Sequence, residues 1–214
     1  MALLALGTWQ LQRAEWKAGL KAERTASLAR PEVALPPAPG AEFDFRRVRL
    51  EGRFAHDREL QLYGRSHRGV AGIHVLTPLI RSEGPAVLID RGWVPLDRRY
   101  PASRPAGQTV GPVSLTGIAR IHFPRGPFTP DNDAAGNTWF VVDLAAMARQ
   151  VRLELVPLLV EAEAGPNADS LPLGGLGRHQ LADNHRRYAL TWYALAAALV
   201  VIFTLFRRRL RAAP

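Results

Sequence analysis

The run YALTWYALAAALVVIFTLF, residues 188–206, decides the architecture of this chain. It holds 19 residues without a charge, a glycine or a proline. As a helix it would extend roughly 28 Å, close to the thickness of a bilayer's hydrocarbon core. A buried core helix is usually shorter and carries a polar stripe, whereas only Thr191 and Thr204 interrupt this run. The sequence therefore predicts a transmembrane helix over residues 185–206.

The two flanks of this helix predict its orientation. A basic tail, residues 207–214, contains four arginines, against two at Arg186 and Arg187 before the run. Because cytoplasmic flanks carry the excess of positive charge, the tail is predicted to be cytoplasmic and the preceding domain extracytoplasmic. Aromatic residues that suit the membrane–water boundary stand at the opposite end of the run: Tyr188, Trp192 and Tyr193.

Residues 1–30 are predicted to be the end of a first membrane helix and its helical extension. The opening MALLAL, residues 1–6, is too short to span a bilayer and lacks the charged region and cleavage site of a signal peptide. The remainder is rich in helix formers, and Trp9, Trp16 and Leu20 fall on one face. We interpret the stub as a helix whose beginning is missing through a misassigned start codon or truncation. Alternatively, the C-terminal helix alone anchors and exports the chain.

A proline-rich linker, residues 31–42, is predicted to precede an extracytoplasmic α+β domain over residues 43–180. The segment FRRVRLEGRF, residues 45–54, alternates apolar and polar side chains, which is the period of a half-buried strand. Further strand-like segments follow, separated by Gly, Pro and Asp: ELQLYGR, GIHVLTPLIR, PAVLIDRGWVPL and PVSLTGIARIHF. This spacing predicts a mostly antiparallel sheet or partial barrel.

The end of the predicted domain adds a helix and a last strand. Residues 137–142 are a further strand candidate, and Asp143 is predicted to cap a short helix over residues 143–150. Residues 153–163 return to a strand pattern, in which Pro157 indicates an edge strand or a bulge.

The composition excludes several function classes. The absence of cysteine rules out disulfides, thiolate metal sites, a cysteine nucleophile and covalent haem attachment, and two methionines disfavour a methionine copper site. The net charge of +9 invites a nucleic-acid interpretation, but the basic residues, nearly all arginine, are scattered apart from the C-terminal tail. We therefore expect a solvated basic surface and no nucleic-acid partner.

The sequence shows no recognisable combination of catalytic residues, and we predict that the chain is not an enzyme. It contains no glycine-rich phosphate loop and no GxSxG motif. An envelope hydrolase would need a nucleophile–base pair, and no motif supports one. The residues available for such a pair are Ser103, Ser114, His74 and His122.

Among the residues of this sequence, His185 is the strongest candidate for a ligand-binding role. It lies three residues before the apolar run, one helical turn from Tyr188 and on the same helical face as Trp192. At the outer membrane surface, such a histidine is suited to be an axial ligand for haem held at the bilayer edge. The simpler alternative is a water-facing histidine at a helix start. Arg186 and Arg187 would pair with haem propionates or with lipid phosphates.

Five blocks of sequence, taken together and in this order, resemble those of a known protein family. They are GTWQ at residues 7–10 with Arg13, Trp16 and Lys17; Glu51-Gly52; LIDRGWVP at residues 88–95; Phe128, Pro130, Asn132, Trp139, Asp143 and Met147 in order; and NHRRYALTW at residues 184–192. Over essentially the whole chain, they resemble the surfeit-locus (SURF-one, Shy) family of cytochrome c oxidase assembly factors. Two departures are the nearly absent first membrane helix and Asp183, where the family has Asn. Asp183 would orient the His185 ring only if the fold brings the two together.

The resemblance implies a two-helix protein of the bacterial inner membrane, or its mitochondrial equivalent, with its main domain in the periplasm or intermembrane space. It implies that His185 binds haem a, with Tyr188, Trp192 and Arg186 around it, for delivery to subunit I of the oxidase. Haem a synthase is a further candidate partner, and membrane lipid surrounds the helices. Gly92 and Trp93 are interpreted as structural. The alternative is a scaffold that stabilises an oxidase intermediate without ligating haem.

Overall fold

The computed structural model describes residues 1–165, 170–177 and 184–212. The chain divides into two compact units. The helical unit comprises Met1–Ala26 and Arg178–Pro214, and the sheet unit comprises Ser27–Gly177. The helices and strands follow one another as α1 (Ala2–Ala29), β1 (Val33–Ala34), β2 (Arg47–Phe54), β3 (Leu60–His67), β4 (Val70–Ile80), β5 (Ala86–Pro95), β6 (Val113–Arg120), β7 (Thr138–Trp139), α2 (Leu144–Val151), β8 (Leu155–Ala162) and α3 (His185–Ala212).

The strands of the sheet unit close into a small barrel. Their order is β1-β2-β6-β8-β5-β4-β3-β7, and an additional pairing between β2 and β4 joins the two ends of a five-stranded ring. That closure aligns Arg53 with Ile80 and Phe54 with Leu79. The predicted α+β class and barrel are thus confirmed. The sheet itself is mixed, because β1–β2, β3–β7 and β5–β8 are parallel pairs while the other described pairings are antiparallel.

Strand β5 is buried on both faces, which explains why PAVLIDRGWVPL is almost continuously apolar. Val87 and Ile89 belong to a core cluster to which all five barrel strands contribute, so this cluster fills the barrel. Leu88, between them, points to the opposite face and packs with Trp139 and Met147 in a second cluster. The second cluster includes α2, so this helix covers the outside of the barrel.

The short helix α2 begins as the sequence predicts. The Asp143 side chain accepts a hydrogen bond from the Ala146 backbone N–H at 2.9 Å, which is the standard N-cap arrangement. The helix ends at Arg152, whose backbone is left-handed with φ of 53°.

The structure decides between the two interpretations of Pro157. This residue does not lie on an edge strand, because β8 is flanked by β6 and β5. The bulge alternative holds: Ala86 aligns with Leu155 but Leu88 aligns with Leu159, so the register shifts around Pro157, where no ladder N–H is available. The proline-rich linker also contains an unpredicted strand, β1, which pairs in parallel with β2.

Helix α3 extends beyond the predicted residues 185–206, whereas α1 lies within the predicted residues 1–30. Helix α1 is continuous from the apolar stub through the predicted extension, and Trp9 and Trp16 on it remain half-exposed. Helix α3 contains the predicted transmembrane run, and residues His185–Arg208 are long and apolar enough to cross a membrane. Only 6% of its most apolar 18-residue window is buried, so α3 is not a soluble core helix.

Gly92 is required where β5 approaches a neighbouring loop. Its φ of +115° is a conformation that other residues rarely adopt, and an added Cβ would collide with the carbonyl of Leu173. The same loop is fixed by two backbone hydrogen bonds between Trp93 and Leu173, at 2.8 and 2.9 Å. Trp93 is buried, so both residues have the structural role that the sequence predicts.

Replacing Gly92 with alanine is expected to destabilise the sheet unit by about 3 kcal/mol, because backbone strain and a collision with Leu173 add together. Gly69→Ala is the matched control, since Gly69 has a φ of +82° but nothing lies within 4 Å of an added Cβ. That variant should lose only about 1 kcal/mol. Thermal unfolding of the full chain, followed by tryptophan fluorescence, measures both changes. Equal losses in the two variants would show that the close approach to Leu173 is unimportant.

Candidate functional site

The two long helices contact each other through small residues. Gly7 and Ala14 are buried on α1, and Ala189 on α3 is 1% exposed. A Cβ added to Gly7 would lie 2.7 Å from Cε1 of Tyr193, so only glycine allows this approach. The hydroxyl groups of Thr8 and Tyr193 are 3.2 Å apart and share a hydrogen bond. Small residues that let two backbones approach closely are typical of helix pairs in membranes.

His185 lies at the same helix pair and contacts α1 through two residues. Its Nδ1 is 2.6 Å from Oε1 of Gln10. Its ring also stands edge-on to Trp9, with the ring centres 6.4 Å apart and the planes at 86°. The ring is half-buried. Because Gln10 follows Gly7 on α1 while His185 precedes Tyr193 on α3, the two helices run antiparallel here.

The other predicted site residues divide into two groups. Trp192 is half-buried and follows His185 by seven residues, on the face that also carries buried Ala189. Arg186 is exposed and Tyr188 is 57% exposed. Within the part of the chain that the structure describes, neither of these two side chains forms a hydrogen bond or ion pair. Asp183, the departure from the family pattern, lies outside the described residues.

Sequence reasoning missed the contribution of α1 to this site. Gln10 and Trp9 both belong to the GTWQ block, which the sequence marks as the end of a first membrane helix without a chemical role. The two predicted membrane helices did offer a signal for this contact. If two such helices run antiparallel, the outer end of one lies beside the outer end of the other. Gln10 and His185 are 175 positions apart in the sequence, so no local pattern reveals their proximity.

The described residues contain no cluster of three or more His, Cys, Asp or Glu side chains that could hold a metal ion. A chelated metal site is therefore not found in that part of the chain. His185 offers a different kind of site, in which a single imidazole is held beside aromatic rings. One nitrogen ligand of this kind is what a haem iron takes from a protein on one side of the macrocycle.

A polar cluster crosses the barrel strands of the sheet unit. Nδ1 of His74 on β4 is 2.7 Å from Oδ2 of Asp90 on β5, and Arg120 on β6 is 3.0 Å from Glu161 on β8. Burial raises the pKa of Glu161, Arg120 opposes that rise, and the nearby Asp90 carboxylate adds to it. His74 thus has a carboxylate partner. However, within the described residues no hydrogen bond joins it to Ser103 or Ser114, and nothing here supports hydrolase chemistry.

A second buried cluster ties the loop after β5 to the barrel. Arg104 pairs with Glu59, and both side chains are almost wholly buried. Burial raises the pKa of Glu59 and lowers the pKa of Arg91 to about 10. His56 donates from Nε2 to the Thr109 carbonyl at 2.9 Å, so its Nδ1 accepts from Arg91 at 3.3 Å. Burial lowers the pKa of His56. These groups are bonded to one another and to loop carbonyls, so we assign them a structural role.

Comparisons with known proteins agree with the sequence blocks. A family model described as the SURF1 family matches residues 1–197. Surfeit locus protein 1 of Xenopus tropicalis is 35% identical over 221 residues, which cover 95% of this chain and 71% of the relative. The Mus musculus protein of the same name is 36% identical over 222 residues, covering 95% and 72%. The Homo sapiens protein is 34% identical over 227 residues, covering 98% and 74%. The predicted resemblance is confirmed.

Replacing Gly7 with alanine should push the Tyr193 ring aside and separate the two helices. Gly19→Ala is the matched control on the same helix, because an added Cβ there meets nothing within 4 Å. That control should stabilise α1 by up to about 1 kcal/mol through helix propensity alone. The chain has no cysteine, so spin labels on Leu11→Cys and Leu190→Cys report the helix separation by pulsed electron paramagnetic resonance. Identical distance distributions for Gly7→Ala and wild type would contradict the tight packing.

Proposed function

Because this chain belongs to the SURF1 family, we propose that it assists the assembly of cytochrome c oxidase by binding haem a at His185 and delivering it to subunit I. The observation that carries the proposal is the His185 ring, held against α1 at the start of a membrane-length apolar helix. In this proposal the chain binds and transfers a cofactor and breaks no covalent bond.

The residues around His185 fit the chemistry of haem. The half-buried imidazole of His185 would supply one nitrogen ligand to the iron. Trp9 and Trp192 offer apolar ring faces on the two helices, and Tyr188 adds a third aromatic ring on α3. Arg186, exposed beside the ligand, is suited to pair with a propionate of the macrocycle.

A single protein ligand suits a carrier better than a resident haem site. Haem a is the cargo here, and the described residues near His185 would offer its iron no second histidine. An acceptor that offers more ligands to the iron would therefore draw haem a from this chain. The exposed apolar side chains of α3 keep the handover at the membrane, where the hydrophobic macrocycle is soluble.

The charge distribution supports a location in the bacterial inner membrane with a periplasmic sheet unit. Residues 27–177 contain 17 basic and 16 acidic residues, which gives a net charge of +1. Residues 178–214 contain 7 arginines and one aspartate, a net charge of +6. Most of the excess charge therefore flanks the membrane helix, as expected for contact with lipid phosphates and for a cytoplasmic tail. Haem a synthase, which would supply the cargo in the same membrane, is a proposed second partner.

The proposal predicts that His185→Ala abolishes haem binding. Full-length chain would be purified from cells that make haem a, and the haem would be quantified by its absorption spectrum. His122→Ala is the matched control, because that histidine lies in the sheet unit with its side chain 79% exposed. The control should retain wild-type haem, whereas His185→Ala should retain less than about a tenth, since loss of an iron ligand costs more than 1.4 kcal/mol.

Two outcomes would overturn the ligand role. Equal haem in wild type and His185→Ala would keep the cofactor but assign its binding to another residue. Absence of haem from a folded wild-type chain that still co-purifies with oxidase subunit I would favour the scaffold alternative.

One observation favours that scaffold as a second candidate function. Phe128 is 96% exposed, which is unusual for a large aromatic side chain. Its loop nevertheless contains several hydrogen bonds. Arg125 pairs with Asp131 and donates to the Thr129 carbonyl at 3.0 Å, and the Thr129 hydroxyl accepts from the Gly126 N–H at 3.1 Å. A preorganised loop that presents an aromatic ring is typical of a protein–protein contact.

For the scaffold function, Phe128→Ser is expected to reduce co-purification of subunit I at least about tenfold, the loss typical of an aromatic interface anchor. Val110→Ser is the control, since Val110 is 94% exposed on a different loop. Haem content of the Phe128→Ser chain should equal that of wild type, because the substitution lies outside the helical unit. Unchanged recovery of subunit I would remove this loop from the interface.

A further inference from the structure

Helix α1 carries an exposed pair of arginine and tryptophan beyond the residues that contact α3. The guanidinium of Arg13 lies over the Trp16 ring, 4.2 Å from the ring centre. Arg13 is exposed, and Trp16 is 52% exposed. Trp9, four residues before Arg13, lies on the same side of the helix and is also 52% exposed. A cation between two exposed aromatic side chains therefore forms one face of α1.

The charge of Arg13 has no carboxylate partner among the residues that the structure describes. Glu15, the acidic residue closest to it in sequence, lies two positions away and hence on another side of the helix. The Trp16 ring stabilises the cation through its π face and provides no conventional acceptor for the guanidinium N–H groups. Water or an external anion therefore accepts the hydrogen bonds of this side chain.

The level of Arg13 along the helix pair follows from the contact next to it. Gln10 and His185 are in contact, so they lie at one level, and Arg13 is one turn beyond Gln10. The apolar run begins at Tyr188, one turn from His185 in the opposite direction. Arg13 therefore lies roughly 9 Å outside the start of the run. A bilayer's headgroup layer extends roughly 5–8 Å beyond its hydrocarbon core.

The direction of the side chains brings the pair closer to that layer. Side chains on a helix lean toward its N-terminus, which on α1 is the end beside the apolar run of α3. The long side chains of Arg13 and Trp16 therefore extend back toward the level of the headgroups. Arginine and tryptophan are both suited to this boundary, because each joins an apolar body to hydrogen-bond donors.

Two further arginines occupy the same end of the helical unit. Arg186 and Arg187 stand before the apolar run, and both are exposed. Basic residues are in excess at the cytoplasmic flanks of membrane helices, so three arginines at the outer end are not explained by topology. Arg186 is assigned above to a propionate of haem. Arg13 and Arg187 are left without such a role, and lipid phosphates carry the charge that complements them.

We propose that Arg13 and Trp16 form a headgroup site for an anionic phospholipid in the leaflet at the outer end of α3. Arg13 pairs with the lipid phosphate, which a guanidinium can bind through two parallel N–H···O bonds. Trp16 holds the guanidinium and lies among the headgroups. An anionic lipid is favoured over a zwitterionic one, because this face offers no carboxylate for a positively charged headgroup. The inference rests on the membrane location in the proposed function, but not on haem.

The test uses the full-length chain in detergent micelles, titrated with phosphatidylglycerol or with phosphatidylcholine, and native mass spectrometry to measure the bound lipid. Wild type should prefer phosphatidylglycerol. Arg13→Gln should weaken phosphatidylglycerol binding about fivefold, the usual effect of one arginine near an anionic lipid surface, and should leave phosphatidylcholine binding unchanged. Arg13→Lys keeps the charge but not the planar donor pair, so its affinity should lie between those of wild type and Arg13→Gln.

Lys21→Gln is the matched control, because it removes one positive charge from an exposed position of the same helix. Lys21 lies eight residues, roughly 12 Å, farther from the apolar run, where salt screens most of its attraction to the lipid surface. This variant should bind phosphatidylglycerol like wild type. Unchanged phosphatidylglycerol binding in Arg13→Gln would overturn the inference. An equal loss in Arg13→Gln and Lys21→Gln would overturn it as well, since it would indicate attraction to overall charge.

The haem content of the same preparations separates this inference from the proposed function. Arg13→Gln should retain as much haem a as wild type. Loss of haem from Arg13→Gln with unchanged lipid binding would assign Arg13 to a propionate and overturn the lipid site. If wild type contains no haem but prefers phosphatidylglycerol in a manner that depends on Arg13, the proposed cofactor fails and the lipid site is supported.

Discussion

The exposed apolar surface of α3 is the constraint on which the helical unit depends. Leu199, Val200, Ile202, Phe203 and Phe206 are each more than half exposed. Each such side chain gains roughly 1–2 kcal/mol on leaving water, so several of them together make an aqueous environment untenable for this helix. A bilayer would satisfy these side chains and would also fix the depth of α3, since the apolar run matches the hydrocarbon thickness. The polar start of the helix, with His185, would then lie at the membrane boundary.

Placing a helix in lipid also changes what holds its partner. Hydrophobic burial no longer favours helix association there, so close packing and hydrogen bonds must supply the attraction. The contact of Gly7 with Tyr193 provides the first, and the Gln10–His185 bond provides the second. The same bond therefore both joins the helices and contacts the histidine that we propose as the haem ligand.

Local sequence patterns predicted the helices and strands of this chain, but they did not predict the contacts between residues that are distant in the sequence. The apolar run, the Asp143 cap and the barrel strands follow from periodicity and capping chemistry that a short window contains. The parallel pairing of β5 with β8 does not, because it joins strands about 70 residues apart and makes Pro157 internal. For the site, the sequence identified His185 from its position at the helix start. It did not identify Gln10, whose importance depends on the packing of another helix.

The sequence blocks that resemble the family fall into two groups, which differ in their role in the fold. Trp139 and Met147 fill the core, Asp143 caps α2, and Gly92 allows a backbone approach. Each is explained by stability alone, so none needs a ligand to account for it. The GTWQ and NHRRY blocks differ, because they bring Trp9 and Gln10 on α1 against His185 on α3, where the histidine is only half-buried. Helix packing explains Gly7, but it does not require a partly exposed histidine at this position. A ligand-binding role is therefore best sought where α1 meets α3.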